Sequence, residues 1–162
     1  MKVLFVRHAI AADKAGSYGS DMARPLTDEG RARARAAFRR LAEFADRPEL
    51  IISSQAVRAR ETAEILSLAF NNVPIRESEF LNPGSDHRRF VELLAPLHGR
   101  HEAIAVVGHE PDFSSILARV IGDGVARIEM KKAASAEVEV NRIGKGELHF
   151  LVPPHMLVGH AQ

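Results

Sequence analysis

Three short apolar runs do most to limit what this chain can fold into: Val3-Leu4-Phe5-Val6, Leu50-Ile51-Ile52-Ser53 and Ala103-Ile104-Ala105-Val106-Val107. Each is too short for a helix and lacks the polar alternation of a half-solvated strand, so each reads as a strand buried on both faces. A stretch with helical periodicity follows each run, which predicts an α/β fold with a mostly parallel sheet. In such sheets ligands gather beyond the carboxyl ends of the strands. The residues there are therefore the first to weigh as functional. Arg7-His8 ends the first run and Gly108-His109 the third.

Between the runs the chain predicts its own punctuation. Ala9 to Ala23 is a Gly/Ser/Asp/Ala-rich loop, long enough to suggest a function. Thr27, with Asp28 and Glu29 behind it, is an N-cap signal for a helix reaching about Ala45, with Phe38, Leu41, Ala42 and Ala45 inward. Arg31, Arg35 and Arg39 repeat every four residues on its outer side. They read as a solvated face, with a docking face for an acidic partner protein as the alternative. A second helix over about Ala56 to Ala69 presents Ala59, Ala63, Leu66 and Phe70 as its stripe and carries Arg58 in its first turn. Arg58 and Arg60 lie about 200° apart on the helical wheel, so only one can face the crevice.

Pro74 to Glu77 reads as an edge strand, and Asp86 as the cap of a helix over about Arg88 to Ala95. Pro111 opens a helix with Phe113, Ile116, Leu117, Val120 and Ile121 apolar. Ala136 to Val140 and Leu148 to Leu151, joined through Gly144-Lys145-Gly146, predict a terminal hairpin at the sheet edge. The tail from Pro153, with His155 and His160, is expected to be solvated. No repeat or composition shift divides residues 1–162, so a single domain is expected.

Composition removes several classes of function. A formal net charge of +1 gives no global attraction to nucleic acid or to a membrane surface. The absence of cysteine excludes disulfides, thiolate metal sites and a thiol nucleophile. No run is long enough to span a bilayer, and no secretory leader is visible ahead of the first strand, so a cytoplasmic location is expected.

Two histidines and two arginines thus fall at the carboxyl ends of three strands. Converging guanidiniums call for an anion, and their planar forks match phosphate or carboxylate. A metal held by His8 and His109 is the main rival. Two arginines would repel a divalent cation, however, and Asp13 and Glu110 are the only carboxylates near this edge in the sequence. Metal-free phosphoryl chemistry is the better match: one imidazole takes the phosphoryl group while the other groups neutralise its oxygens.

Four segments carry a resemblance, in order, over about the first two-thirds of the chain. They are Val3-Leu4-Phe5-Val6-Arg7-His8-Ala9, Arg24-Pro25-Leu26-Thr27 with Gly30, Ser53 with Arg58-Ala59 and Glu61-Thr62-Ala63, and Val107-Gly108-His109. Together they resemble the histidine phosphatase superfamily and, within it, the SixA-like bacterial phosphohistidine phosphatase branch. The resemblance implies a three-layer α/β/α sandwich, phosphoglycerate-mutase-like, that needs no cofactor or metal. It implies His8 as the phosphorylated nucleophile, with Arg7, Arg58 and His109 forming the phosphate pocket and Arg24 at a substrate-binding or architectural position. Its implied partner is a phosphorylated protein, a His-containing phosphotransfer domain, or else a small phosphorylated molecule. The alternatives are a metabolite phosphomonoesterase and a non-catalytic phosphate or phosphopeptide reader. Ala9 replaces a glycine common in the family, which requires a negative φ there. The acidic proton donor that larger members carry in an insertion has no motif counterpart, although Glu77, Glu79 and Asp86 are available. A departing phosphohistidine imidazole, already protonated on its other nitrogen, needs no such acid.

Overall fold

In the computed structural model, which describes residues 1–14 and 16–158, the three apolar runs are neighbouring parallel strands. In chain order the elements are β1 (Lys2–Arg7), α1 (Asp28–Leu41), β2 (Leu50–Ser53), α2 (Val57–Ala69), β3 (Ile75–Glu77) and α3 (His87–Leu94). After these come β4 (Ala103–Gly108), α4 (Asp112–Val120), β5 (Ser135–Val140), β6 (Gly146–Val152) and α5 (Pro154–Leu157). The sheet order is β3-β2-β4-β1-β5-β6. The first four strands run parallel, while β5 is antiparallel to β1 and β6 to β5, as the terminal hairpin requires.

Side chains alternate across the sheet, and both faces are covered. Val3, Phe5, Ile52, Ile104 and Val106 pack with Phe90 and Leu94 of α3 and Phe113, Ile116 and Leu117 of α4. Leu4, Val6, Ile51, Ala105 and Val107 pack with Phe38 and Leu41 of α1 and Ala59, Ala63 and Leu66 of α2. The result is the expected three-layer α/β/α sandwich. Register then sets the edge: Arg7 lies level with Gly108, and Ser53 with Val107. His8 and His109 consequently leave the sheet side by side.

Thr27 caps α1 by accepting the Gly30 N–H at 3.0 Å, a contact type worth about 1 kcal/mol. Gly30 lets α1 press onto the chain leaving β1, because a Cβ there would stand 2.2 Å from the Ile10 carbonyl oxygen. The inner face of α1 is Gly30, Ala34, Ala37, Phe38 and Leu41. Ala42 and Ala45 lie beyond its end, in turns ahead of Pro48, and are only half buried.

Two further expectations change. Arg31 does not belong to a solvated face with Arg35 and Arg39; it donates to Glu61 Oε1 at 3.0 Å, tying α1 to α2. The tail is not wholly solvated either: α5 packs on α1, with Leu157 against the core on that side. His155 within it is exposed, and His160 lies outside the described residues. Among the described residues no helix is long and apolar enough to cross a membrane.

Candidate active site

His8 is held by the two elements on either side of it. Its backbone N–H donates to the Gly108 carbonyl at 3.0 Å, continuing the β1–β4 ladder one residue past the strand. The N–H of Ala9 donates to Thr62 Oγ1 at 3.1 Å, and that hydroxyl donates to the Arg58 carbonyl at 2.7 Å. Ala9 is buried and has no positive φ, so the methyl group in place of glycine is accommodated. His8 Nδ1 lies 2.7 Å from the Ala9 carbonyl oxygen, which can only accept. Nδ1 therefore carries the hydrogen, and Nε2 keeps its lone pair.

His109 emerges beside it, with ring centroids 5.2 Å apart. Its Nε2 lies 2.8 Å from Ser54 Oγ, and its Nδ1 3.4 Å from Arg58 Nη2. Gly108 makes the turn possible, since a Cβ there would meet the Phe113 ring at 2.6 Å. Arg58 enters from the first turn of α2 and is 3% exposed. Arg60 points outward to Glu77 at 3.3 Å, so only one of the two arginines faces the crevice, as the helical wheel requires. Arg7 donates through Nη1 to the Met130 carbonyl at 2.7 Å. The four residues singled out in the sequence are thus brought to one sheet edge.

Burial and mutual repulsion dominate the electrostatics. Burial brings His8 down to about 4, helped by Arg58 and Arg7 and opposed by the Ala9 carbonyl. His109 falls to about 3, through burial first and then through His8 and Arg58. Both rings are neutral at physiological pH. Burial also lowers Arg7 and Arg58, with Glu110 and Asp21 respectively acting against it. The Nε atoms of both arginines are buried without a hydrogen-bond partner. Two buried guanidiniums, each with one donor left without an acceptor, beside a neutral imidazole with a free lone pair form a site for an oxyanion.

One charged neighbour differs from the sequence expectation. Asp13 is exposed, and the carboxylate of Glu110 is taken by the backbone N–H and hydroxyl of Ser114. The carboxylate that meets the cluster is Asp21, brought in by a 3-10 turn over Asp21–Ala23 in the long loop. Arg58 donates to its carbonyl at 2.7 Å and to Oδ2 at 3.0 Å, and Arg24 donates to Oδ1 at 2.9 Å. Burial pulls the Asp21 carboxyl upward, but Arg58 and Arg24 outweigh it and leave it below its ordinary value. Arg24 also donates to the Ala12 carbonyl at 2.6 Å and reaches the cluster through Asp21. Glu77 is taken by Arg60, Glu79 is exposed, and Asp86 caps α3 by accepting the Arg89 N–H. Among the described residues no three His, Asp or Glu side chains gather as metal ligands would. A cavity of about 770 Å³ between α1, residues 129–133 and α5 has Arg7, Arg33, Lys131 and Lys132 among its walls.

The remaining motif residues hold this edge together. Glu61 accepts the Leu26 N–H at 2.7 Å besides Arg31, which fastens the Arg24-Pro25-Leu26-Thr27 segment to α2. Residues 3–82 match the histidine phosphatase superfamily (branch 1) model. An uncharacterised protein of Picosynechococcus sp. is 31% identical over 165 residues, covering 98% of this chain and 99% of that protein. The structure of the protein histidine phosphatase SixA complexed with tungstate is 26% identical, with a TM-score of 0.85 over 97% of this chain and 99% of that one. A structure from Agrobacterium tumefaciens, assigned as a phosphohistidine phosphatase SixA, is also 26% identical, with a TM-score of 0.80 over 94% and 97%. Those matches extend the phosphoglycerate-mutase-like fold through the terminal hairpin. On its motifs, its sheet order and these relatives, the chain belongs to the histidine phosphatase superfamily.

Proposed function

We propose that this phosphatase removes the phosphoryl group from phosphohistidine in a phosphotransfer protein, carrying it on His8 and using no metal. The observation behind this reading is the free Nε2 lone pair of a neutral, buried His8 facing two guanidiniums with unpartnered Nε atoms. Nε2 attacks phosphorus, and the bond from phosphorus to the substrate imidazole breaks. The leaving imidazole, protonated on its other nitrogen, departs neutral. Water then attacks the phosphoryl group, the bond from phosphorus to Nε2 breaks, and inorganic phosphate leaves. Arg7, Arg58 and His109 stabilise the equatorial oxygens in both steps, which is most of what phosphoryl transfer asks of a protein. Arg24 closes the rim around Asp21.

Two findings support the substrate class. The similar structure of the protein histidine phosphatase SixA holds tungstate, an oxyanion of phosphate shape. Within this chain, the carboxylate nearest the pocket is ion-paired to two arginines, so it is a poor proton donor for an alkoxide leaving group. The test is a substrate panel with the native enzyme and His8→Ala, with and without chelator: a phosphorylated phosphotransfer domain, a phosphoramidate and a sugar phosphate. The expected result is turnover of the first two, an acid-labile phosphoryl-enzyme lost in His8→Ala, and indifference to chelator. Full activity of His8→Ala, comparable turnover of the sugar phosphate, or inactivation by chelator would overturn the corresponding part.

A further inference from the structure

Behind His109 runs a line of hydrogen bonds that the phosphoryl chemistry above does not use. Ser54 is fully buried, and its Oγ has three polar neighbours: His109 Nε2 at 2.8 Å, Asn82 Oδ1 at 3.0 Å and the Ala56 N–H at 3.2 Å. Asn82 Oδ1 also accepts the Gln55 N–H at 2.9 Å, while Asn82 Nδ2 donates to Gln55 Oε1 at 2.9 Å. That pair of contacts orients the amide, because reversing it would set donor against donor and acceptor against acceptor.

Both ends of the line fix the direction of every proton in it. Arg58 has only donors, so its approach to His109 Nδ1 at 3.4 Å requires a lone pair on that nitrogen. A neutral imidazole with a lone pair on Nδ1 carries its hydrogen on Nε2, which then donates to Ser54 Oγ. Ser54 accepts from Ala56 and His109, and its single hydrogen is left for Asn82 Oδ1.

We infer that Asn82, acting through the Ser54 hydroxyl, holds His109 in its Nε2–H tautomer. Nδ1 is thereby the nitrogen that exchanges a proton in the phosphate pocket. The inference rests on His109 serving the phosphoryl site described under Proposed function. Asn82 and Ser54 are positioning residues, since they touch neither substrate nor reacting atoms. The negative charge of an arriving phosphoryl group raises the basicity of Nδ1, so that a proton the group carries passes to it and makes His109 a doubly protonated donor facing the phosphoryl oxygens. The same proton returns when phosphate leaves. The opposite tautomer would present an N–H to Arg58, donor against donor. The charged and titratable groups facing His109 are Arg58 from α2, Arg7 at the end of β1, His8 after it and Asp21 from the long loop.

Ring-nitrogen NMR of ¹⁵N-histidine-labelled protein, read alongside steady-state kinetics, tests this. In the native protein above pH 6, His109 Nε2 should show the protonated-type shift and Nδ1 the lone-pair type. Asn82→Ala should mix the two tautomers. It should lower kcat on the order of 10- to 100-fold with KM little changed, the range that losing an outer partner costs at metal-bound histidines. Asn82→Asp offers the same acceptor, so it should restore the tautomer and most of kcat. Its negative charge should move the acid limb of the rate profile to higher pH. Ser54→Ala should behave as Asn82→Ala does, and serves if that variant does not fold. A native His109 with its hydrogen on Nδ1 would overturn the proposal without any variant. So would Asn82→Ala with unchanged ring nitrogens and kcat. Absence of a phosphoryl-enzyme on His8 would instead remove the functional reading and leave the tautomer assignment standing.

Discussion

The two ends of the sheet each gather a pair of histidines and treat them oppositely. At the amino end, Lys2, Glu49, His98 and His101 line one shallow cavity. His101 pairs with Glu49 at 2.9 Å, and Lys2 pairs with Asp46, all four side chains keeping at least a quarter of their surface in water. Charges there are matched and solvated, an arrangement worth little either way. At the carboxyl end, His8, His109 and Arg58 are each under a tenth exposed. Arg58 has one carboxylate partner, and the hydrogen-bond partner of Arg7 is a carbonyl. Like residue types thus form ordinary surface at one end and, at the other, a buried cluster whose two guanidiniums outnumber the one carboxylate in contact with them. The difference lies in where the countercharge is withheld.

Three experiments would break or sharpen that contrast. The largest effect belongs to the guanidiniums: Arg58→Ala and Arg7→Ala should each lower kcat/KM on the order of 10²-fold or more. Glu49→Gln, which replaces the carboxylate that His101 contacts at the opposite end, should leave turnover unchanged. Equal losses at both ends would erase the distinction.

The second effect is on stability. His8 and His109 lie at about 4 and about 3 in the folded protein, against about 6.5 when unfolded. Between those values the unfolded chain binds more protons. Stability is therefore complete above about pH 6.5 and is lost as pH falls toward 4, by about 1.4 kcal/mol per pH unit for each ring. Denaturant midpoints at pH 7 and 5 should show this slope, and His8→Gln should flatten it.

The smallest effect concerns Asp21, the only carboxylate in direct contact with the cluster among the described residues. Asp21→Asn should free Arg58 for an incoming anion and lower the dissociation constant for added tungstate about fivefold, the equivalent of one partly exposed ion pair. A weaker response to tungstate would mean that Asp21 helps the site to form rather than competing for it.

The sequence conveyed the frame of the site better than its lining. Strands β1, β2 and β4, the Thr27 and Asp86 caps and the opposite facing of Arg58 and Arg60 all follow from local rules: apolar runs, capping chemistry and the helical wheel. Asp21 follows from none of them, because a Gly/Ser-rich loop has no periodicity and its path is set by what Arg58 and Arg24 can grip. Ser54 was hidden behind its neighbour. The motif drew attention to Ser53, whose hydroxyl turns back to the Ser54 carbonyl, while Ser54 faces His109. Asn82 lies in a loop whose only local message is a turn before Pro83. The tail does carry a local signal for its helix: Pro154 stands at the first helical position of α5, where proline is favoured. Arg31 shows the limit of charge patterning, since nothing local announces that Glu61, thirty residues on, will claim it.

Thr62 joins the strand exit to α2 through one oxygen atom, receiving from Ala9 and giving to the carbonyl of Arg58. The separation between nucleophile and guanidinium is therefore gauged by a single turn of helix, from residue 58 to residue 62. One residue inserted within that turn would swing the hydroxyl round by about 100° and uncouple the two halves of the pocket, while leaving the rest of α2 free to form. The five residues from Arg58 to Thr62 act as the ruler of the pocket.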